Sequence, residues 1–301
     1  MNKWPSLKQL HYLITLHETR HFSDAAQRCF VSQSTLSKGI QNLEELIGCA
    51  LYEKKDKKTP LVFTQAGEEV VKLGRELLAK GQDLVELGKL CQGNLMEGQL
   101  KLGCIPTIAP FLLGDLVQEI NLRFPKLHLL LREDTTTNLL MALRSGELDV
   151  LVLALPVDIG EMDSRIVGQD PFRMVISRNQ ANSIRVPIKY DDLPDQSVFL
   201  LENEHCLTEH AVSACKLTDK EKINPFTATS LHTLVQMVAN GLGTTFIPQM
   251  AIDHGLLDNQ NLVVVDPPGQ KAYRNIGLVW RPSSSRTNTF NQLADVVSGL
   301  L

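Results

Sequence analysis

The first ninety residues are patterned with helical periods. Leu7, Leu10, Leu13 and Ile14, with Leu16, follow Ser6 in a helical period, which predicts a helix capped by Ser6 with one apolar face. Ser23 stands where it would cap a short second helix, Asp24–Cys29, whose Ala25 and Ala26 permit close packing. After a turn at Phe30 and Val31, Ser32 caps a third helix from Gln33 to about Ile47, stopped by Gly48. The spacing of Leu36, Ile40, Leu43 and Ile47 turns those side chains inward. Residues 50–64 read as a hairpin whose tip carries Lys54, Lys55, Lys57 and Lys58. Beyond it, Val70, Leu73, Leu77, Lys80, Leu84, Leu87 and Cys91 step alternately by three and four. That is a heptad seam with one polar interruption, and it predicts a long helix that pairs with a second copy.

From residue 92 the pattern changes. Strand-like apolar runs (Leu100–Ile105, Leu127–Arg132, Val150–Ala154, Met174–Ser177, Val198–Leu201, Thr244–Ile247, Leu262–Val265 and Ile276–Trp280) alternate with helical stretches at about 110–122, 136–145, 207–214, 230–240 and 285–300. Apolar strands between helices predict parallel sheets covered on both faces. If the last strand and helix rejoin the first half, two α/β subdomains result, with a cleft for a small ligand. The predicted organisation is residues 1–66 as one domain, 67–91 as a linker helix and 92–301 as a second domain. The subdomains of the latter are about 92–165 with 267–301, and about 166–266.

Composition adds one asymmetry. Residues 1–66 hold nine Lys/Arg and six Asp/Glu, or +3, while the remainder holds twenty-one and twenty-eight, or −7. A basic head on an acidic body suits nucleic-acid contact by the head alone. On the third helix the outward face carries Ser34, Ser37, Lys38 and Gln41, with Gln33 and Thr35 at the N-terminal end beside Ser32. Short polar groups there can read base edges in a major groove, and the lysines of the hairpin can lie along phosphates. A merely solvated amphipathic helix is the competing reading of that helix taken alone. No apolar run of about eighteen residues predicts a membrane span and no export signal is evident, so a cytoplasmic protein with free thiols is expected.

Candidate chemistry gathers at Cys206 and Cys215, separated by eight residues. That is too far for a CxxC turn and unusual for a metal site. A His before Cys206 and a helix start after it form a setting in which one thiol can react and the other close a disulfide; inert buried thiols are the alternative. Glu204, His205, Cys206, His210 and Cys215 also cluster in sequence, which keeps a metal sensor in play. No Walker loop, GxGxxG after a strand, GxSxG or obvious Ser/His/Asp set is present, so neither a nucleotide cofactor nor an enzyme is expected.

Three stretches carry a resemblance to a known family: Phe22-Ser-Asp-Ala-Ala-Gln-Arg-Cys-Phe-Val-Ser-Gln-Ser-Thr-Leu-Ser37, Ile40-Gln-Asn-Leu-Glu44 and Phe63-Thr-Gln-Ala-Gly67. With them the chain resembles the LysR-type transcriptional regulators over essentially its whole length. Gly103-Cys-Ile-Pro-Thr107, Phe124-Pro-Lys-Leu127, Glu204-His-Cys-Leu207, Ala228-Thr-Ser-Leu231, Ile276-Gly-Leu-Val279 and Arg281-Pro282 make it similar to the peroxide-sensing, OxyR-type branch. The resemblance implies a winged helix-turn-helix, a linker helix and a regulatory domain of two Rossmann-like subdomains of the periplasmic-binding-protein kind. It implies a homotetramer built as a dimer of dimers on double-stranded promoter DNA in the nucleoid, working with RNA polymerase, mainly as an activator, and reset by cellular thiol reductants. By position it makes Cys206 the peroxidatic and Cys215 the resolving cysteine, with Thr107, Thr136, His205, Glu209 and Arg274 around the peroxide. Ser34 stands where the family often has Pro, Glu204 where Gly is frequent and Thr208 where a basic residue can occur. Glu204 is therefore expected to modulate sensitivity, in a direction the sequence does not give. A LysR-type regulator that binds an organic effector in the cleft is the alternative, and a thiol peroxidase a more distant one.

Overall fold

A computed structural model describes residues 4–53, 61–90, 95–181, 193–202, 206–214, 220–258, 260–267 and 272–301. The chain divides into two compact units, Met1–Gly93 with Arg144–Glu147, and Asn94–Leu143 with Leu148–Leu301. The first unit contains α1 (Leu7–Thr19), α2 (Phe22–Arg28), α3 (Gln33–Ile47) and α4 (Gln65–Leu90). Ser6 caps α1 as its spacing predicts, and Gln9 completes a reciprocal capping box. The second helix differs from expectation. It starts at Phe22, not after a Ser23 cap, with His21 at the cap position and no side-chain bond there. The Phe22 ring packs edge-on against Tyr52 at 5.5 Å, and Ser23 instead donates to Asp24.

Leu13, Leu16, Leu36, Ile40, Leu43 and Leu51 are fully buried and form the centre of this unit. Ile47, expected to face inward, is 39% exposed, because it lies in the last turn of α3 just before the Gly48 cap. The predicted hairpin is reduced to one antiparallel bridge, Tyr52 with Phe63, flanked by backbone bonds from Glu53 to Val62 and from Thr64 to Leu51. Its lysine tip lies outside the described residues. Gly67 has a steric reason to be glycine: a Cβ there would sit 1.9 Å from the carbonyl oxygen of Leu51. On α4 the apolar stripe splits. Val71 is buried in the helix-turn-helix core, while Leu73, Leu77 and Leu84 are exposed.

The second unit is α/β. Its elements are β1 (Gly98–Cys104), α5 (Ala109–Arg123), β2 (Leu127–Glu133), α6 (Thr136–Arg144), β3 (Val150–Leu155), β4 (Asp163–Ser177), α7 (Arg178–Ala181), β5 (Val198–Leu201), α8 (Cys206–Ala214), β6 (Ile223–Ala228), α9 (Leu231–Ala239), β7 (Thr244–Pro248), α10 (Gln249–Asp253), β8 (Leu262–Val265), β9 (Tyr273–Trp280) and α11 (Thr287–Ser298). The strands join in the order β2-β1-β3-β9-β4-β7-β5-β6, with β8 on β4. The sheet is mixed, not purely parallel. β1 pairs parallel with β2 and β3, and β5 with β6 and β7, whereas β9 runs antiparallel to β3 and β4, and β4 antiparallel to β7 and β8.

β4 explains that difference. Its first part, Asp163–Pro171, pairs with β9, and its last part, Phe172–Ser177, pairs with β7 and β8, so one long strand serves both halves. The returning β9 pairs with β3, and α11 packs against β4, β9 and α5.

Candidate DNA interface and redox site

Ser32 builds the start of α3. Its hydroxyl accepts from the Thr35 amide at 3.1 Å and bonds the hydroxyls of Ser34 at 2.9 Å and Thr35 at 2.7 Å. One cap thus organises three hydroxyls before any ligand arrives. Gln33, Ser34, Thr35, Ser37, Lys38 and Gln41 are all exposed, while Leu36, Ile40 and Leu43 bury the opposite face. The tight turn into α3 passes through Phe30, which has φ 54° and is 95% exposed. A helix anchored on one face, with a polar N-terminal end and a free polar face, can enter a major groove.

In the second unit, register brings the strand ends together. Cys104 at the end of β1 pairs with Glu133 at the end of β2, and Thr107 and Thr136 each lie three residues further on. Arg274 comes from β9 and is 1% exposed. Its Nη1 donates to Thr107 Oγ1 at 2.8 Å and its Nη2 to the Thr107 carbonyl at 2.9 Å. Its Nε donates to Asp170 Oδ2 at 3.0 Å, and Asp170 Oδ1 accepts from the Met250 amide at 3.0 Å. A buried charge needs such complete pairing. Thr136 is buried, and its Oγ1 has no partner among the described residues, so it is available to a ligand atom. The Cys104 thiol beside this cluster is held protonated, because burial raises its pKa well above the usual thiol range despite the opposing charge of Arg274.

α8 begins at Cys206, whose side chain lies outside the described atoms. Glu204, His205 and Cys215 lie outside the described residues altogether. The helix is held down by Leu207 and Ala211, both buried, and by Thr208, whose hydroxyl donates to the Leu201 carbonyl at 2.7 Å. His210 bonds the Pro156 carbonyl through Nε2 at 2.8 Å, and its Nδ1 is buried without a partner. Burial, aided by the charge of Arg274, lowers the pKa of His210 and keeps it neutral, although the Pro156 bond and Glu209 pull the other way. Glu209 is exposed. With His210, Ser213, Pro156, Tyr273 and Asn275 it lines a cavity of about 470 Å³. Thr107 and Arg274 are therefore in direct contact, and Glu209 lines the cavity formed with Tyr273 and Asn275, the two neighbours of Arg274 on β9.

Asp170 was not among the residues expected here. The run Asp170-Pro-Phe-Arg-Met-Val-Ile carries no local mark that its carboxylate is buried. Among the described residues no group of His, Cys, Asp and Glu is placed to hold a metal ion.

A helix-turn-helix with a free recognition face, followed by a two-part α/β domain, defines a one-chain DNA-binding regulator. Residues 7–68 match the bacterial regulatory helix-turn-helix proteins of the lysR family, and residues 93–300 match the LysR substrate binding domain. The chain belongs to the LysR family of transcriptional regulators and is not an enzyme. It is 40% identical over 294 residues to the HTH-type transcriptional regulator EstR of Acinetobacter baylyi, covering 97% of this chain and 96% of EstR. It is 35% identical over 292 residues to the DNA-binding transcriptional dual regulator OxyR of Escherichia coli, covering 97% and 94% respectively. Among solved structures it is similar to the C206S mutant of the OxyR2 regulatory domain from Vibrio vulnificus, with 85% identity, a TM-score of 0.68, and coverage of 69% of this chain and 98% of that one.

Proposed function

We propose that this regulator senses hydrogen peroxide through Cys206 and converts the signal into a reversible Cys206–Cys215 disulfide. The observation that carries the reading is α8, which starts at Cys206, ends one residue before Cys215 and packs against β9, the strand that bears Arg274. A helix N-terminus and a nearby guanidinium both favour a thiolate. The thiolate attacks one peroxide oxygen, the O–O bond breaks, and with one proton taken up the products are Cys206 sulfenic acid and water. The Cys215 thiol then displaces the sulfenic oxygen as a second water. Together two thiols and one peroxide give a disulfide and two waters. The hydroxyls of Thr107 and Thr136, with Arg274, His205 and Glu209, are the groups assigned to hold the peroxide. The reading also draws on the OxyR relatives and on the C206S substitution in the similar OxyR2 domain.

The helix runs eight steps from Cys206 to Ala214, about 12 Å along its axis, and a disulfide needs Cα atoms within about 7 Å. The helix must unwind for the bond to close, and that refolding is the switch. Residues 1–66 read DNA through Ser32, Gln33, Ser34, Thr35, Ser37, Lys38, Gln41, Lys54, Lys55, Lys57 and Lys58. Residues 67–91 pair protomers through the exposed Leu73, Leu77 and Leu84, within a cytoplasmic homotetramer that contacts RNA polymerase and is reset by thiol reductants. Glu204 tunes peroxide sensitivity.

The test is DNA footprinting of the full-length protein before and after stoichiometric peroxide, with mass spectrometry of the thiols. Cys206→Ser is expected to abolish the response, and Cys215→Ser to stop at the sulfenic acid. A normal response in Cys206→Ser rejects the proposal. A second reading, an organic effector, is favoured by the cavity beside His210. It requires a small ligand that raises the melting temperature of Cys206→Ser and changes its footprint without oxidant.

A further inference from the structure

A groove of about 600 Å³ runs between the N-terminal turn of α1 and the outer face of α3, and the base-reading residues do not account for it. Ser6, Lys8 and Tyr12 line one wall, and Ser34, Lys38 and Asn42 the other. Its lining carries two lysines and no carboxylate. Tyr12 is 4% exposed, and its Oη has no hydrogen-bond partner. Its ring is pressed against α3 at Gly39, where a Cβ would meet it at 2.8 Å. Lys8 Nζ lies 5.8 Å from the centroid of the same ring. Helix geometry leaves the Leu7 and Lys8 amides of α1 without intrahelical acceptors, and they add a partial positive charge at that end.

An unpaired phenol, a lysine and a helix N-terminus in one polar groove are all groups that bind an oxyanion. Which oxyanion follows from continuity. Ser34 and Lys38 belong both to the groove and to the exposed face of α3 that meets DNA. A helix lying in a major groove is flanked by rows of backbone phosphates.

We propose that this groove seats one backbone phosphate of the bound duplex, with Lys8 and the Tyr12 hydroxyl as its direct contacts. α1 thereby becomes part of the DNA-binding surface, fixing how deep and at what angle α3 enters. The seat carries no sequence information, and it acts in both redox states.

The test uses reduced full-length protein and a duplex enriched by the wild type from a random-sequence pool. Affinity is measured from about 0.05 to 0.3 M KCl. Lys8→Ala should make the log–log salt slope shallower by about 0.9, and weaken binding about fivefold near 0.15 M, for each protomer on the DNA. Tyr12→Phe keeps the ring packing and removes only the hydroxyl. It should weaken binding roughly tenfold at every salt concentration with the slope unchanged. Both variants should enrich the same DNA motif as the wild type. Thermal midpoints check folding, and Lys8→Gln replaces Lys8→Ala if the latter melts early. A wild-type slope in the Lys8 variant, wild-type affinity in Tyr12→Phe, or an altered enriched motif overturns the proposal.

Discussion

Asp170→Ala tests whether the Arg274 cluster depends on its buried pairing. Arg274 has 0% and Asp170 3% side-chain exposure, and the guanidinium reaches the carboxylate at 2.9 Å. Removing Asp170 leaves the guanidinium buried with Thr107 as its remaining partner among the described residues and strips the Met250 amide of its acceptor. Losing one partner of a buried pair costs about 3–5 kcal/mol. For a unit of this size each kcal/mol moves the midpoint by about 2–4 °C, so a fall of about 6–20 °C is expected. Trp280, 4% exposed in β9, reports the unfolding, while Trp4, 80% exposed, contributes little change. Asp170→Asn keeps one acceptor oxygen, for either Met250 or Arg274, but turns its NH2 toward the other donor and removes the charge, so it should be destabilising as well. A double-mutant cycle with Arg274→Met should give a coupling of at least about 2 kcal/mol, since both residues are then absent and no orphan charge remains. An Asp170→Ala protein within about 1 kcal/mol of wild type, with no coupling in the cycle, would refute the reasoning.

His210 predicts a pH effect. Its folded pKa is lowered below the ordinary 6.5, so the unfolded chain takes up the proton first, and stability is fully present above 6.5 and lost as pH falls through the folded value. His210→Gln should flatten that loss in urea titrations run from neutral to mildly acid pH, and an unchanged slope would contradict the assignment. Gly67→Ala places a methyl against the Leu51 carbonyl and should cost about 1–3 kcal/mol in the first unit. Circular dichroism melts and DNA affinity should both fall, and wild-type values in both would show that the backbone relaxes freely.

The helices of the first unit were legible because each has a cap and a clean 3.6-residue period. The exception, α2, is only seven residues long, and its start is set by the tertiary contact of Phe22 with Tyr52. In the second unit, strands that are buried throughout, such as Val150–Leu155 and Val198–Leu201, announce themselves as apolar runs. The first part of β4 does not, since it alternates exposed and buried residues and begins among charges at Asp163, Arg165 and Asp170. β6 was missed for another reason. It contains Pro225, which argues against an interior strand, and it lies at the end of the sheet where Pro is tolerated. Family resemblance placed Arg274 and Thr107 around one pocket without naming a contact between them, while Asp170 lies 104 positions from Arg274 and nothing local announces that pairing.

What holds α8 in its helical form sets what the proposed switch must overcome. The helix has nine residues, short enough that an isolated copy would be marginal in water. Its anchors are few: burial of Leu207 and Ala211, the Thr208 bond to Leu201 and the His210 bond to Pro156. A buried Leu contributes about 1.5–3 kcal/mol and each neutral hydrogen bond about 0.5–1.5 kcal/mol. The helix is therefore held by a few kcal/mol, within reach of a covalent bond that helical geometry forbids. Weakening any anchor favours the unwound form without altering either sulfur, so sensitivity and reactivity are separable. Thr208 tethers the helix to β5 through its hydroxyl, and on this reading it stiffens the reduced form. A chain with this tether should need more oxidant to switch than one in which Thr208→Val removes only the hydroxyl.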